Sequence, residues 1–294
     1  MPTGVTTSSA LTESFPTVID SARVYREYPF PAVKLCEMHK LTMNTGNSWE
    51  EIELDKFSAQ AITETTILDN PQQYVDTLRT VTPTQVGITT IVTKKTMNRI
   101  SKNVAAMMGQ QLQQAIERMK DSDVLTTIDG ATNSQPGAGN TLQSGVVSAA
   151  VSNITGNTTE GADGPIATLL HPFQIKDIQD EITSGVGTYP VPQGMTADFF
   201  RKGWSGSLYN TDVYIDGNIA IDSASDSKGG VFAKKGLLYV AGTEIRRFTK
   251  ELPERGGGAD QIFIYDDYAV AERRPFGTSA WVWEIYSDTT APTS

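Results

Sequence analysis

From Trp49 the chain alternates, with Ile52 and Leu54 set between Glu51, Glu53 and Asp55, and this period of two predicts a strand with one apolar face. Residues 61–78 are polar and β-branched, broken at Asn70-Pro71, and residues 85–93 (QVGITTIVT) read as a further strand. Together they predict a long hairpin-like excursion. The period then lengthens: Ile100, Val104, Met107 or Met108, Gln111 or Leu112, Ala115, Ile116 and Met119 step by three and four. That spacing predicts a helix over about 97–125, roughly 40 Å long at about 1.5 Å per residue, against a mean globular helix of about 11 to 12 residues. At helical spacing its methionines read as core packing rather than as a binding groove.

Beyond the helix, residues 129–140 (DGATNSQPGAGN) read as a connector, with a new compact region starting near Thr141. There a short helix is expected over 142–151 and an apolar strand over 167–170. A further helix over 172–183 is opened by Pro172 and closed at Gly185. Residues 213–215 run into Asp216-Gly217, a hairpin-turn dipeptide, and 236–240 and 261–265 read as strands. Residues 1–48 carry neither period and read as an extended arm. There is no fixed-period repeat, which argues against solenoids and propellers.

Charge and cysteine content narrow the function classes. A formal charge of -10 opposes general nucleic-acid binding, which needs a Lys/Arg excess to neutralise phosphates, although an acidic wall can surround DNA without gripping it. One cysteine, Cys36, excludes an internal disulfide, and with only His39 and His171 no Cys/His cluster has zinc-ligand spacing. No basic-then-apolar leader and no run of 18 apolar residues supports export or membrane spanning.

Candidate chemistry is sparse. Asp121 with Asp123, and Asp266 with Asp267, could be carboxylate pairs, but adjacent helix positions diverge and no cation-loop spacing accompanies them, so solvated charge is expected. His171 before Pro172 fits a helix cap better than a general base, because no nucleophile motif such as GxSxG accompanies it. Gly256-Gly257-Gly258 lacks the order of a phosphate loop and reads as a hairpin tip. No catalytic, metal or cofactor residue emerges, and no cofactor is expected. What stands out is charge segregation: Glu50, Glu51, Glu53 and Asp55 make the excursion acidic, while Lys94, Lys95, Arg99 and Lys102 form a basic cluster. Two solvated faces would explain it, and so would contact between copies of the chain. In the second reading the interface comprises these eight residues with Ile52 and Leu54.

The order of arm, long β excursion, lone long helix and mixed α/β region resembles the tailed-phage major capsid proteins of the Hong Kong 97 fold. So do Lys120-Asp121 closing the helix, the step Leu170-His171-Pro172, and AVAERRP at 269–275. The resemblance implies an α+β protein with an N-terminal arm over 1–40 and an E-loop over 41–80. It implies a peripheral domain over 81–140 and 246–294 carrying the spine helix, and a mixed α/β axial domain over 141–245. The function so implied is structural, not enzymatic: pentamers and hexamers of one chain closing into an icosahedral shell around double-stranded DNA in a virion assembled in the host cytoplasm. Its partners would be other copies of itself, with separate scaffold, portal and decoration proteins, no membrane, and DNA enclosed without sequence-specific binding. The alternatives are an encapsulin-like nanocompartment shell and a soluble enzyme of unrecognised class.

Overall fold

The computed structural model describes residues 30–42, 46–64, 71–99, 102–185, 207–243, 245–255 and 257–291. Most of the expected arm, residues 1–29, lies outside these. No helix among the described residues is long and apolar enough to cross a membrane.

Two sheets share one beam. The first is organised by β12 (Ala259–Glu272), a 14-residue strand. On one side of it β4 (Thr84–Thr93) runs antiparallel, from Thr93 opposite Ala259 to Thr84 opposite Tyr268. On the other side lie β11 (Arg246–Leu252) and then β10 (Leu237–Ala241), and β1 (Glu37–Lys40) adds parallel to β10. The second sheet has six strands in the order β5 (Ser134–Pro136), β13 (Val282–Asp288), β9 (Asp226–Ala233), β6 (Ile166–Leu170), β8 (Thr211–Ile215) and β7 (Ser207–Leu208). The beam is α3 (Lys102–Asp129), 28 residues long. Val124, Leu125 and Ile128 pack into one core with Tyr239 and Tyr268 of the first sheet and with Ala167, Leu169, Phe232 and Val282 of the second. The second sheet has its own core, in which Val147, Ala150 and Ile154 of α4 (Ser144–Thr155) and Ile175 and Ile178 of α5 (Pro172–Gly185) cover Leu170, Val231 and Ile285.

Several expectations need correction. The strand over 85–93 does not close the excursion. The partner of β2 (Trp49–Leu54) is β3 (Asp76–Val81), inside the stretch that had no strand pattern, and β4 is instead the outer neighbour of β12. The helix is α2 (Lys94–Arg99) followed by α3, and α3 runs on to Asp129, with the Thr126 and Thr127 hydroxyls donating back to the carbonyls of Ser122 and Asp123 at 2.8 Å each. Part of the connector over 129–140 pairs as β5 with β13. Asp216-Gly217 makes no hairpin. The tight turn precedes β8, at Tyr209 and Asn210 with φ of 50° and 64°, a left-handed pair suited to a two-residue β-turn. Within 246–294, β11 pairs with β12 in the first sheet and β13 joins the six-stranded one, while β10, before them in the chain, also pairs with β12. The glycines at 257–258 do lie in the β11–β12 hairpin connection.

Candidate functional site

The β2–β3 ribbon leaves the first sheet near the C-terminal end of β12, and its two faces are the reverse of a folded strand. Strand alternation puts Glu51, Glu53 and Arg79 on one face and Ile52, Leu54 and Leu78 on the other. The charged face turns inward. Arg273, at the end of β12 and only 7% exposed, grips Glu51 with Nε to Oε2 at 2.9 Å and Nη2 to Oε1 at 3.0 Å. Its Nη1 reaches Glu37 of β1 at 2.6 Å and the Lys235 carbonyl at 2.9 Å. Arg79 pairs with Glu53 at 3.1 Å and donates to the carbonyls of Glu272 and Arg274, while the other Glu53 oxygen accepts the Phe276 N–H at 3.0 Å. Bidentate guanidinium–carboxylate contacts of this kind fix direction as well as supplying energy. At the base, Val81 is buried against Leu238 and Val240, and Trp49 stacks on His39 with centroids 4.6 Å apart.

The apolar face turns outward: Ile52 is 62% exposed, and Leu54 and Leu78 are 58% each. It continues past the ribbon in Val75 and the Phe57–Tyr74 ring pair, all exposed. A contiguous outward run of large apolar side chains is the mark of an interaction surface rather than of a free monomer face.

Of the residues expected at an interface, Glu50, Ile52, Leu54 and Asp55 are exposed, whereas Glu51 and Glu53 are spent holding the ribbon to its own chain. Lys94 and Lys95 are exposed at the N-terminus of α2, where Thr93 Oγ1 accepts the Thr96 N–H at 3.2 Å as the cap. Two cations at a helix N-terminus oppose the helix dipole, and Glu251 of β11, 3.3 Å from Lys94, offsets part of that. The backbones of Arg99 and Lys102 lie in α2 and α3, and their side chains fall outside the described residues. Among the described residues the acidic and basic groups do not meet. The ribbon base sits at the Glu272 end of β12 and Lys94 at the Ala259 end, roughly 40 Å apart at about 3.4 Å per strand residue.

The other candidates resolve structurally. His171 is the N-cap of α5: its Nδ1 accepts the Phe173 N–H at 3.2 Å, and Gln174 Oε1 accepts the His171 N–H at 3.0 Å, a reciprocal capping arrangement. Gln174, fully buried, was not singled out by sequence. Its Nε2 donates to the carbonyls of Ser227 and Ile285 and to Ser287 Oγ, pinning α5 to β9 and β13. The expectation of solvated charge fails for three aspartates. Asp121 is fully buried, Asp266 is 5% exposed and paired with Lys120, and Asp123 accepts the Tyr268 hydroxyl at 2.7 Å. Their periodicity places them on the packed side of α3 or on the β12 strand beneath it, a burial that charge alone could not reveal. Among the described residues no three or more His, Cys, Asp or Glu side chains are grouped to hold a metal ion.

No family model and no curated protein matches the sequence. Solved structures do. The chain is similar to the head structure of the Helicobacter pylori bacteriophage KHP40, with a TM-score of 0.72 at 10% identity over 97% of this chain and 98% of that one. It is similar to the capsid of cyanophage Pam1, with 0.70 at 10% identity over 92% and 96%. It is also similar to the mature capsid of bacteriophage PhiM1, with 0.68 at 14% identity over 95% and 92%. The chain therefore has the mixed α/β fold of tailed-phage capsid proteins across nearly its whole length.

Proposed function

We propose that this chain is the major capsid protein of a tailed double-stranded DNA phage, a structural subunit and not an enzyme. In this reading it forms pentamers and hexamers that close an icosahedral shell around the genome. The observation that carries the proposal is the outward apolar face of the ribbon, held away from the body by its own Arg–Glu seam on a capsid fold. A monomer gains nothing by exposing Ile52, Leu54 and Leu78 on an anchored arm, whereas a repeated contact between copies buries them. The ribbon is then the E-loop of the Hong Kong 97 fold, the first sheet with α3 the peripheral domain, and the six-stranded sheet the axial domain. The virion is its location, after assembly in the host cytoplasm, and separate scaffold, portal and decoration proteins are its expected further partners.

The receiving surface is the basic region of an adjacent copy around Lys94, Lys95, Arg99 and Lys102, continued along β11 by exposed Arg246, Lys250 and Phe248. Because Glu51 and Glu53 are already engaged, the acidic contribution comes from Glu50, Asp55 and Asp76. Exposed pairs are worth about 0 to 1 kcal/mol each, so charge sets assembly rate and register more than final stability. Electron microscopy and sedimentation of the expressed protein, alone and with scaffold, should reveal capsomers or shells. Reversing Glu50 and Asp55 to Lys should slow assembly, and adding Lys94→Glu and Lys95→Glu should partly restore it. A chain that stays monomeric under every assembly condition overturns the function, and normal assembly of the first variant overturns the pairing alone.

A further inference from the structure

Three segments distant in sequence converge on a pair of buried acids. Asp121 lies on α3, Asp216 follows β8, and Ala32 begins the short helix α1 (Ala32–Leu35). Both carboxyl groups belong to residues with no exposed surface. Asp121 Oδ1 accepts the Ala32 N–H at 3.1 Å, and its Oδ2 accepts Asn218 Nδ2 at 3.3 Å. Asp216 Oδ1 accepts the Asn218 N–H at 2.8 Å. Among the described residues Asp216 Oδ2 has no hydrogen-bond partner, and its carboxyl adjoins that of Asp121 across the shared Asn218. Two oxygens can satisfy each other only with a proton between them.

Among the described residues, the groups that hydrogen-bond to the pair, the Ala32 and Asn218 N–H groups, carry no neutralising charge. From the end of α1, Cys36 faces Asp121, but its thiol donates to the Ala32 carbonyl at 3.4 Å and is pushed up to about 12 by burial and then by Asp121, so it stays neutral. On α3 itself, Lys120 is committed to Asp266 and Asp123 to the Tyr268 hydroxyl. The loop after β8 presents Asn218, which is uncharged. In such a site a second negative charge would meet both the cost of burial and like-charge repulsion.

We propose that Asp121 and Asp216 form a proton-operated latch, which ties α1 to the spine helix and the loop after β8 while one proton is shared and releases α1 when that proton is lost. The window follows from the physical causes. Burial first, and then the facing Asp216, raise Asp121 from the ordinary carboxylate range to about 7, outweighing the Ala32 N–H and Asn218 bonds, which favour its ionised form. A raised carboxyl binds its proton in the folded state at pH values where the unfolded chain has lost it, so the latch holds at mildly acidic pH and weakens as pH rises to about 7. Above that the loss is complete.

The test is hydrogen exchange of the unassembled full chain, followed across residues 30–36 from pH 5.5 to 9 and corrected for the intrinsic pH dependence of exchange. Protection of α1 in the wild type should fall at least tenfold between pH 6 and pH 8.5, while a reference segment in β13 stays level. Asp216→Asn supplies an N–H donor that cannot ionise, and should make the α1 profile flat. Asp121→Asn is the second variant and should do the same. A flat wild-type profile overturns the latch, as does an unchanged alkaline loss in both variants. Restoration of alkaline protection by millimolar calcium or magnesium also overturns it, because the pair would then be a cation site. The readout belongs to the single subunit and does not depend on assembly.

Discussion

Arg273 shows how much one side chain can decide here. It joins β1, the ribbon and the loop before β10 through Glu37, Glu51 and the Lys235 carbonyl, and its guanidinium lies 6.0 Å over the Trp49 ring. Arg273→Ala leaves two neighbouring carboxylates without their shared cation, and the expected cost is about 1.5 to 3 kcal/mol, the range for a hydrogen bond to a charged group. Arg273→Lys should recover only part of it, because an ammonium cannot make the bidentate contact to Glu51. Thermal unfolding measures the first effect, and proteolysis within the ribbon measures the second. An alanine variant with unchanged ribbon protection would show that the base cluster of Trp49 and Val81 holds the ribbon unaided. The residue could be noticed in the sequence within AVAERRP, but its role could not, because its carboxylate partners lie more than 200 positions away in the chain.

At the scale of elements, the ribbon is two strands with one face held by its own chain and the other exposed. Side chains as exposed as Ile52 and Leu54 gain roughly 1 to 2 kcal/mol each when a partner covers the remainder, a little over half of the roughly 1.5 to 3 kcal/mol for full burial. The variant Ile52→Ser with Leu54→Ser should therefore leave the Tm of the isolated subunit within about 1 °C, because nothing in the chain packs on that face. Assembly yield by sedimentation should fall several-fold, more than for the charge-reversed ribbon. A large drop in Tm would mean that the face is covered within the chain. The alternation in β2 was legible from sequence, whereas β3 was not: DTLRTV carries no apolar alternation, because its inward face carries Arg79, bonded to Glu53 and to backbone carbonyls, and its outward face is exposed. Likewise β4 looked like the natural hairpin partner, yet only the ten-pair register with β12 decides its place.

For the whole molecule, the decisive contact is where α3 crosses from one sheet to the other. Gly230 of β9 faces Ile128, and a Cβ there would sit 2.6 Å from Ile128 Cγ2, a methyl whose rotamer is held by β-branching in a helix. Gly230→Ala should cost about 1 to 3 kcal/mol through overpacking, and Ile128→Ala in the same chain should give part of it back, as a double-mutant cycle in denaturant would measure. Additive costs would mean that the two positions do not touch. By itself the sequence determined the long helix, the strand–helix step capped by His171, the hairpin connection at the glycines, and the segregation of acid from base, since each rests on periodicity or turn chemistry within a few neighbours. The tertiary structure alone decided which sheet each strand joins, which face of the ribbon looks outward, and that Asp121 and Asp266 are buried. Strand pairing and burial are set by contacts between residues tens to hundreds of positions apart, and local pattern carries no record of which distant group supplies the partner.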